Sequence, residues 1–290
     1  MTMIPETKAR LPIMETVREG FAFVARDWRA IAPLALIGAA AIAPLQVWQQ
    51  TAAARQDMGG VFGASMLAAL VNVPLLAAYL RRAASRGETP LTLKAGADEA
   101  NLAGATVSVA FLGFIVAIVG ALFVGMALAA LLMRSGVAAT SLENLPPQEA
   151  AAALGKALGA DGRFAFFALL SLFAAFLLWL TARLVLAYPA TVVEKRMLIF
   201  STWGWTKGHA LAIVACLVLV MAAAFMLTWI AGQPIAMLLE IALGKGTIAT
   251  PGTPANWIFS FVGGFLGNMF YLPAYAATAA YLYRGLRPSA

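Results

Sequence analysis

Long apolar runs alternate with short polar or basic stretches along the whole chain. Six of these runs extend from Ala30 to Trp48, Phe62 to Leu80, Val107 to Met133, Phe164 to Leu186, Ala210 to Ile230 and Trp257 to Leu282. A helix needs roughly 20 mostly apolar residues to cross about 30 Å of hydrocarbon, and each run is of that order. Within so short a stretch of lipid only a helix satisfies its own backbone hydrogen bonds, and none of the runs shows the alternation of a barrel strand. The pattern therefore predicts an all-α fold, a polytopic transmembrane helical bundle of six spans. The run from Val107 to Met133 is longer than a crossing requires and is expected to tilt or to project from the bilayer.

The stretches between the runs have their own periodicity. From Ile13 to Trp28, apolar Met14, Val17, Phe21, Val24 and Trp28 recur at steps of three and four, with Glu15, Arg18, Glu19 and Arg26 elsewhere around the helix. This predicts an amphipathic interfacial helix feeding the first span, with Pro12 suited to its first turn. A similar layout recurs before the fifth span, where Lys195-Arg196 is followed by Met197, Phe200, Trp203, Trp205 and Lys207. Pro74, Pro189 and Pro273 lie in or beyond the inner halves of the second, fourth and sixth spans, each followed by basic residues. Three related hairpins, two related halves, or chance similarity among apolar helices all fit this layout. Leu142 to Asp161 reads as a loop with a short helix closed by Gly159, and Gln233 to Gly244 as a second short interfacial helix.

Charge sets the orientation. Lys8, Arg10, Arg18, Arg26 and Arg29 precede the first span, and Arg81, Arg82, Arg86 and Lys94 lie between the second and third. Arg183, Lys195, Arg196 and Lys207 join the fourth to the fifth, and Arg284 and Arg287 follow the sixth. Only Arg55, Arg134, Lys156, Arg163 and Lys245 fall on the other side. Fifteen basic residues against five place both termini in the cytoplasm. The expected organisation is a cytoplasmic amphipathic segment at 1–29, a six-span membrane domain at 30–283 and a cytoplasmic tail at 284–290. The start mixes acidic and basic residues and has no apolar core or small-residue cleavage site, so it does not read as a signal peptide.

Composition agrees: 62% of the 290 residues are hydrophobic and 11% charged, against about 25% charged in soluble chains. A net charge of +7 would suggest nucleic acid as a partner in a soluble protein, but here the basic residues flank spans, so no nucleic-acid partner is expected. An alanine-rich composition with more arginine than lysine suggests a bacterial source, and hence the inner membrane.

Residues able to carry chemistry are few. All thirteen acidic residues fall outside the runs, which weakens a proton- or sodium-coupled carrier and excludes intramembrane aspartyl proteolysis. His209 is the only histidine, so a His-Glu-x-x-His zinc site cannot form, and no phosphate-cradling glycine loop exists. Cys216, the one cysteine, lies in an apolar run and reads as a core residue. No catalytic, metal or cofactor residues are expected.

Arg183, Lys195, Arg196 and Lys207 are the candidates for lipid or anion contact, with snorkelling the alternative for Arg183. Asn72 and Asn268 each precede a proline that frees a carbonyl, so a polar spot could form there. Gly113, Ala117, Ala121, Gly125 and Ala129 form a small-residue stripe, and Gly263 and Gly267 a GxxxG. Packing within the monomer and a homodimer seam are both open for them.

The stretch from Arg183 to His209, RLVLAYPATVVEKRMLIFSTWGWTKGH, places an Arg near a span end, then Tyr188-Pro189-Ala190, then Trp203-x-x-Thr206-x-Gly208 entering the next span. With Tyr79 to Pro90, YLRRAASRGETP, it resembles bacterial multi-spanning proteins of unknown function that are similar to the membrane domain of glycerophosphoryl diester phosphodiesterases. The resemblance covers about forty residues. That family's catalytic domain is a separate soluble barrel for which this chain has no room, so the resemblance implies a membrane module and not a phosphodiesterase.

The expected function is a non-enzymatic membrane module that assists lipid or envelope organisation. Its expected partners are membrane phospholipid and a membrane-protein partner or homo-oligomer. The alternatives are a facilitator or transporter subunit using Asn72 and Asn268, and a lipid-modifying enzyme.

Overall fold

The computed structural model describes residues 11–134 and 147–287. Lys8 and Arg10, the loop residues from 135 to Pro146 and the last three tail residues lie outside that range. The described residues form helices and no strand. They are α1 (Ile13–Ala54), α2 (Met58–Val71), α3 (Val73–Ala84), α4 (Ala97–Arg134), α5 (Pro147–Leu184), α6 (Ala187–Glu194), α7 (Ser201–Trp205), α8 (Ala210–Leu243), α9 (Pro254–Leu266) and α10 (Leu272–Leu286), with a π-helical turn at Gly267–Tyr271. Six helical stretches are long and apolar enough to cross a membrane, and each contains one of the apolar runs. The chain is an all-α, multi-pass membrane protein.

Local chemistry starts and stops these helices. The Asp57 carboxylate accepts the Gly60 amide (2.9 Å) at the start of α2, and the Thr253 hydroxyl accepts the Asn256 amide (3.2 Å) ahead of Pro254 in α9. Gly159, at φ 62° and ψ −169°, divides α5 into a short leading helix and the spanning one, as its position after the alanine run predicts. The second interfacial helix expected at Gln233 to Gly244 is instead the continuation of α8, which runs through Pro234 to Leu243 and stops at Gly244 with φ 102°. Likewise α1 is a single helix of 42 residues, about 63 Å long. Its amphipathic start joins the first span without a break, and its buried residues there are Thr16, Gly20, Phe23, Val24 and Asp27, with Met14 and Trp28 exposed.

Three spans are interrupted, each just ahead of its proline. Asn72 separates α2 from α3 before Pro74, residues 185–186 separate α5 from α6 before Pro189, and the π turn precedes Pro273. Proline lacks the N–H that would close the preceding turn. In the π turn the Leu272 amide bonds back to the Gly267 carbonyl, so the carbonyl of Asn268 faces Pro273 and has no helical donor. The Tyr79 hydroxyl, fully buried, donates to it instead (3.4 Å). The inner halves α3, α6 and α10 pack on one another and supply much of the buried core, including Tyr79, Leu80 and Leu282, with Leu186 from the break before α6. Around them α1 packs on α2, α8, α9 and α10.

The chain divides into two compact units, residues 1–109 with 181–290, and residues 110–180. In the first, two adjacent arginines organise the loop after α3. Arg81 pairs with Glu99 in the first turn of α4. Arg82 reaches Asp27 of α1 (2.8 Å) and donates to the carbonyls of Gly87 and Thr89.

Glu99 lies ahead of the apolar part of α4. Burial alone would raise its carboxyl, but the Arg81 hydrogen bond and charge, with amides at the start of α4, outweigh it and hold the carboxyl below its ordinary value. The resulting stabilisation is complete above the unfolded value of about 4.3 and is lost as pH falls through the lower folded one. Glu99→Gln is expected to flatten the fall of melting temperature between about pH 5 and 3. Equal slopes in variant and parent would remove Glu99 from the acid response.

The second unit consists of the apolar stretches of α4 and α5. Gly120 lies under the Phe173 ring, where no Cβ could fit. Most of its large side chains, among them Phe111, Leu122, Phe123, Phe164 and Leu172, are exposed. That is the surface expected where lipid is the solvent. A methyl group on Gly113 or Gly125 of the small-residue stripe would meet no described atom within 4 Å, so the stripe is not a packing seam among the described residues.

Candidate functional site

A cleft of about 650 Å³ opens at one end of the first unit. Its walls come from the start of α1 (Leu11 to Arg26), the end of α3 and the turn after it (Ala83, Arg86), His209 at the start of α8, and the end of α10 (Ala277 to Leu286). These are the N-terminal segment, the second-third loop, the fourth-fifth connection and the tail, the four segments whose basic residues define one side of the membrane. The fold thus gathers them at one end.

Each arginine of the cleft is held differently. Arg26 bonds Asp27 through two nitrogens (3.2 and 3.3 Å), and its guanidinium lies 5.8 Å from the Phe23 ring centre. Arg284 donates to the carbonyls of Ala83 (2.6 Å) and Ala84 (3.5 Å), which tie the end of α10 to the end of α3. A carbonyl orients a guanidinium without cancelling its charge. Arg86 sits in the turn Ser85-Arg86-Gly87 with φ 53°, a left-handed conformation that a non-glycine residue adopts at a cost. Glu19 is the carboxylate among them, and its neighbour Glu15 accepts the Tyr281 hydroxyl (2.8 Å). Apolar walls from Leu11, Phe23, Ala277, Leu282 and Leu286 adjoin this charged rim. Such an arrangement can bind an anionic group while covering an apolar body.

The residues singled out from sequence lie elsewhere. Arg183 is turned onto α7: it donates to the Trp203 carbonyl (3.2 Å) and the Thr206 hydroxyl (3.3 Å), and its guanidinium is 5.7 Å from the Trp203 ring centre. It clamps the interfacial segment. Lys195 ends α6 in a left-handed conformation (φ 55°), and its carbonyl accepts the Asn101 amide (3.2 Å). Arg196 lines a smaller cleft of about 300 Å³ with Glu194, Ser201, Trp205 and Arg287, in which Glu194 already binds Arg287 (3.0 Å) and the Tyr283 hydroxyl (2.7 Å). Lys207 is exposed in the turn after α7. None of these four lines the larger cleft.

Asn72 and Asn268 both carry a buried amide atom, Oδ1 of one and Nδ2 of the other, with no hydrogen-bond partner among the described residues. A methyl group on Gly38 would stand 2.6 Å from Asn268 Nδ2 and 2.5 Å from Leu75 Cδ1, so α1 closes tightly over that amide. His209 caps the start of α8 at the mouth of the cleft. Cys216 is fully buried, its thiol directed at the Ile13 carbonyl (3.8 Å). No group of three or more metal-ligating side chains occurs among the described residues.

Sequence reading missed Arg26, Arg86 and Arg284 as a set because they are scattered over the chain's length and each looks like an ordinary flanking charge. The available signal was their common side of the membrane, which the charge count already held. No protein-family model, curated protein sequence or solved structure matches this chain.

Proposed function

We propose that this protein is a non-enzymatic module of a bacterial inner membrane, with both termini in the cytoplasm, that binds phospholipid at its inner end. The observation that carries the reading is the cleft, where arginines rim a pocket whose walls are apolar. A phosphate suits the rim, because guanidinium forks match its oxygens. The glycerol and upper acyl chains suit the walls. The resemblance to the membrane domain of glycerophosphoryl diester phosphodiesterases agrees with a lipid-facing module that has no catalytic barrel. A facilitator working through Asn72 and Asn268 is the second reading, favoured by their unsatisfied amides and disfavoured by the closure of Gly38 over Asn268.

Gentle extraction into nanodiscs of mixed phospholipid, followed by native mass spectrometry, tests the proposal. The parent should retain a phospholipid well above its share of the bilayer. Arg86→Gln should lower that retention by about tenfold, since one charge-assisted hydrogen bond is worth about 1.5–3 kcal/mol. Retention in proportion to bilayer composition, with no effect of the substitution, would overturn the proposal.

A further inference from the structure

The cleft's charges are not all of one sign, and their pairing narrows the ligand. Arg26 contacts Asp27 through both Nε and an Nη and shares that carboxylate with Arg82, so its fork is already engaged. Glu15, the other acid near the rim, is engaged by the Tyr281 hydroxyl. Arg86 and Arg284 form no ion pair with a described residue, and neither does Glu19, yet all three line the same 650 Å³ cleft. Arg284 is held in place by the α3 carbonyls, so its fork is oriented, and its guanidinium lies within electrostatic reach of both Glu19 and Arg86. The site therefore presents two cations and one carboxylate on a single rim, none of them closed into an ion pair.

Resting on the lipid reading above, we propose that the cleft selects a phosphodiester headgroup that carries a protonated primary amine, of the phosphoethanolamine class. Arg86 and Arg284 take the phosphate, and Glu19 takes the ammonium. An ammonium a few bonds from the phosphate offers three N–H donors and a full positive charge to the carboxylate. A glycerol headgroup offers hydroxyl donors without the charge. A choline headgroup keeps the charge but has no N–H to donate. A second phosphate, as in a bis-phosphatidyl lipid, sets negative charge against Glu19. The expected order is amine, then hydroxyl, then quaternary ammonium, with bis-phosphate lipids excluded from the Glu19 end. The walls of Leu11, Phe23, Ala277, Leu282 and Leu286 favour the lipid over the free headgroup as its source.

The full chain in nanodiscs of equimolar phosphatidylethanolamine, phosphatidylglycerol and phosphatidylcholine, read by native mass spectrometry, decides it. The parent is expected to retain the ethanolamine lipid at least fivefold over either competitor. Glu19→Gln, an exposed position, is expected to erase that preference by lowering retention of the ethanolamine lipid to the level of its two competitors. Equal or greater retention of the glycerol lipid by the parent, or an unchanged preference in Glu19→Gln, overturns the headgroup assignment and leaves the lipid reading standing. Retention of none of the three above its share overturns both. Soluble O-phosphoethanolamine supplies the last arm. Failure to displace bound lipid at millimolar concentration supports a membrane ligand, whereas its binding with no lipid retained overturns the membrane source.

Discussion

Arg82→Gln is expected to cost the folded protein about 3 kcal/mol, the low end of the range for breaking a buried ion pair from one side. Asp27 is only 6% exposed, and Arg82 supplies its closer contact, at 2.8 Å. Losing the guanidinium leaves the carboxylate to Arg26 alone, which is 3.2 Å away and mostly solvent-facing, so the charge stays buried with a weakened partner. The same change frees the carbonyls of Gly87 and Thr89, which Arg82 holds in the loop after α3. Asp27→Asn should cost less, because Arg82 keeps those two carbonyls and an amide replaces a charge. The double variant Asp27→Asn/Arg82→Gln should be more stable than Arg82→Gln alone, since the buried carboxylate is gone and the Arg26 charge left behind is solvent-facing. Unfolding in mixed detergent micelles, followed through tryptophan fluorescence, measures all three. A double variant no better than Arg82→Gln would show that the loop carbonyls, and not the buried carboxylate, dominate the loss.

That pair also shows where sequence reading stops. The six spans were legible because length and hydropathy alone decide whether a segment can cross lipid. The charge count grouped four basic segments, and residues from all four line the one cleft. The partners were not legible. Asp27 and Arg82 are separated by 55 positions, and nothing in either neighbourhood marks a pair. Arg183 stood out as the one charge close to a span interior, which is a signal of cost. The structure meets that cost by folding α7 over its guanidinium, so the signal located a structural clamp. The amphipathic segment at Ile13 to Trp28 was legible as helix, but its apolar residues were read as facing the membrane interface, whereas Val24 is buried on Val220 and Ala274 with Val17 and Phe21 beside it. Gly20 makes the close approach to α10, where a small residue is favoured. Proline positions were a partial mark. Pro74, Pro189 and Pro273 each coincide with an interruption, whereas α1 runs on through Pro33 and Pro44 and α8 through Pro234, so the missing N–H breaks a helix only where the surrounding packing allows it.

Glycine shows the same contrast and carries the other large effect. Gly263 and Gly267 form the recognisable GxxxG, yet a methyl group on either meets nothing within 4 Å. The neighbouring Gly264 is the one packed on α1, against Ala39 at 3.4 Å, so the contact lies one position away from the motif. Gly38, one of two very tight approaches along α1 with Gly20, matches no motif. Gly38→Leu must displace both Leu75 and the Asn268 side-chain amide, two buried side chains. Asn268 sits in the π turn, with its backbone carbonyl held by Tyr79. We expect a loss of about 3 kcal/mol, the upper end for over-packing a core. Gly263→Ala, on the open face, should be neutral or gain up to about 1 kcal/mol from helix propensity. Leu75→Ala combined with Gly38→Ala separates the two neighbours. If Leu75 is the main obstacle, Gly38→Ala should cost little in the Leu75→Ala background, whose own cavity cost is measured separately. If Gly38→Ala costs as much there as in the parent, the amide of Asn268 sets the distance between α1 and the π turn. A Gly38→Leu protein as stable as the parent would mean that α1 does not approach Asn268 this closely in the membrane, and the facilitator reading would regain the space it needs.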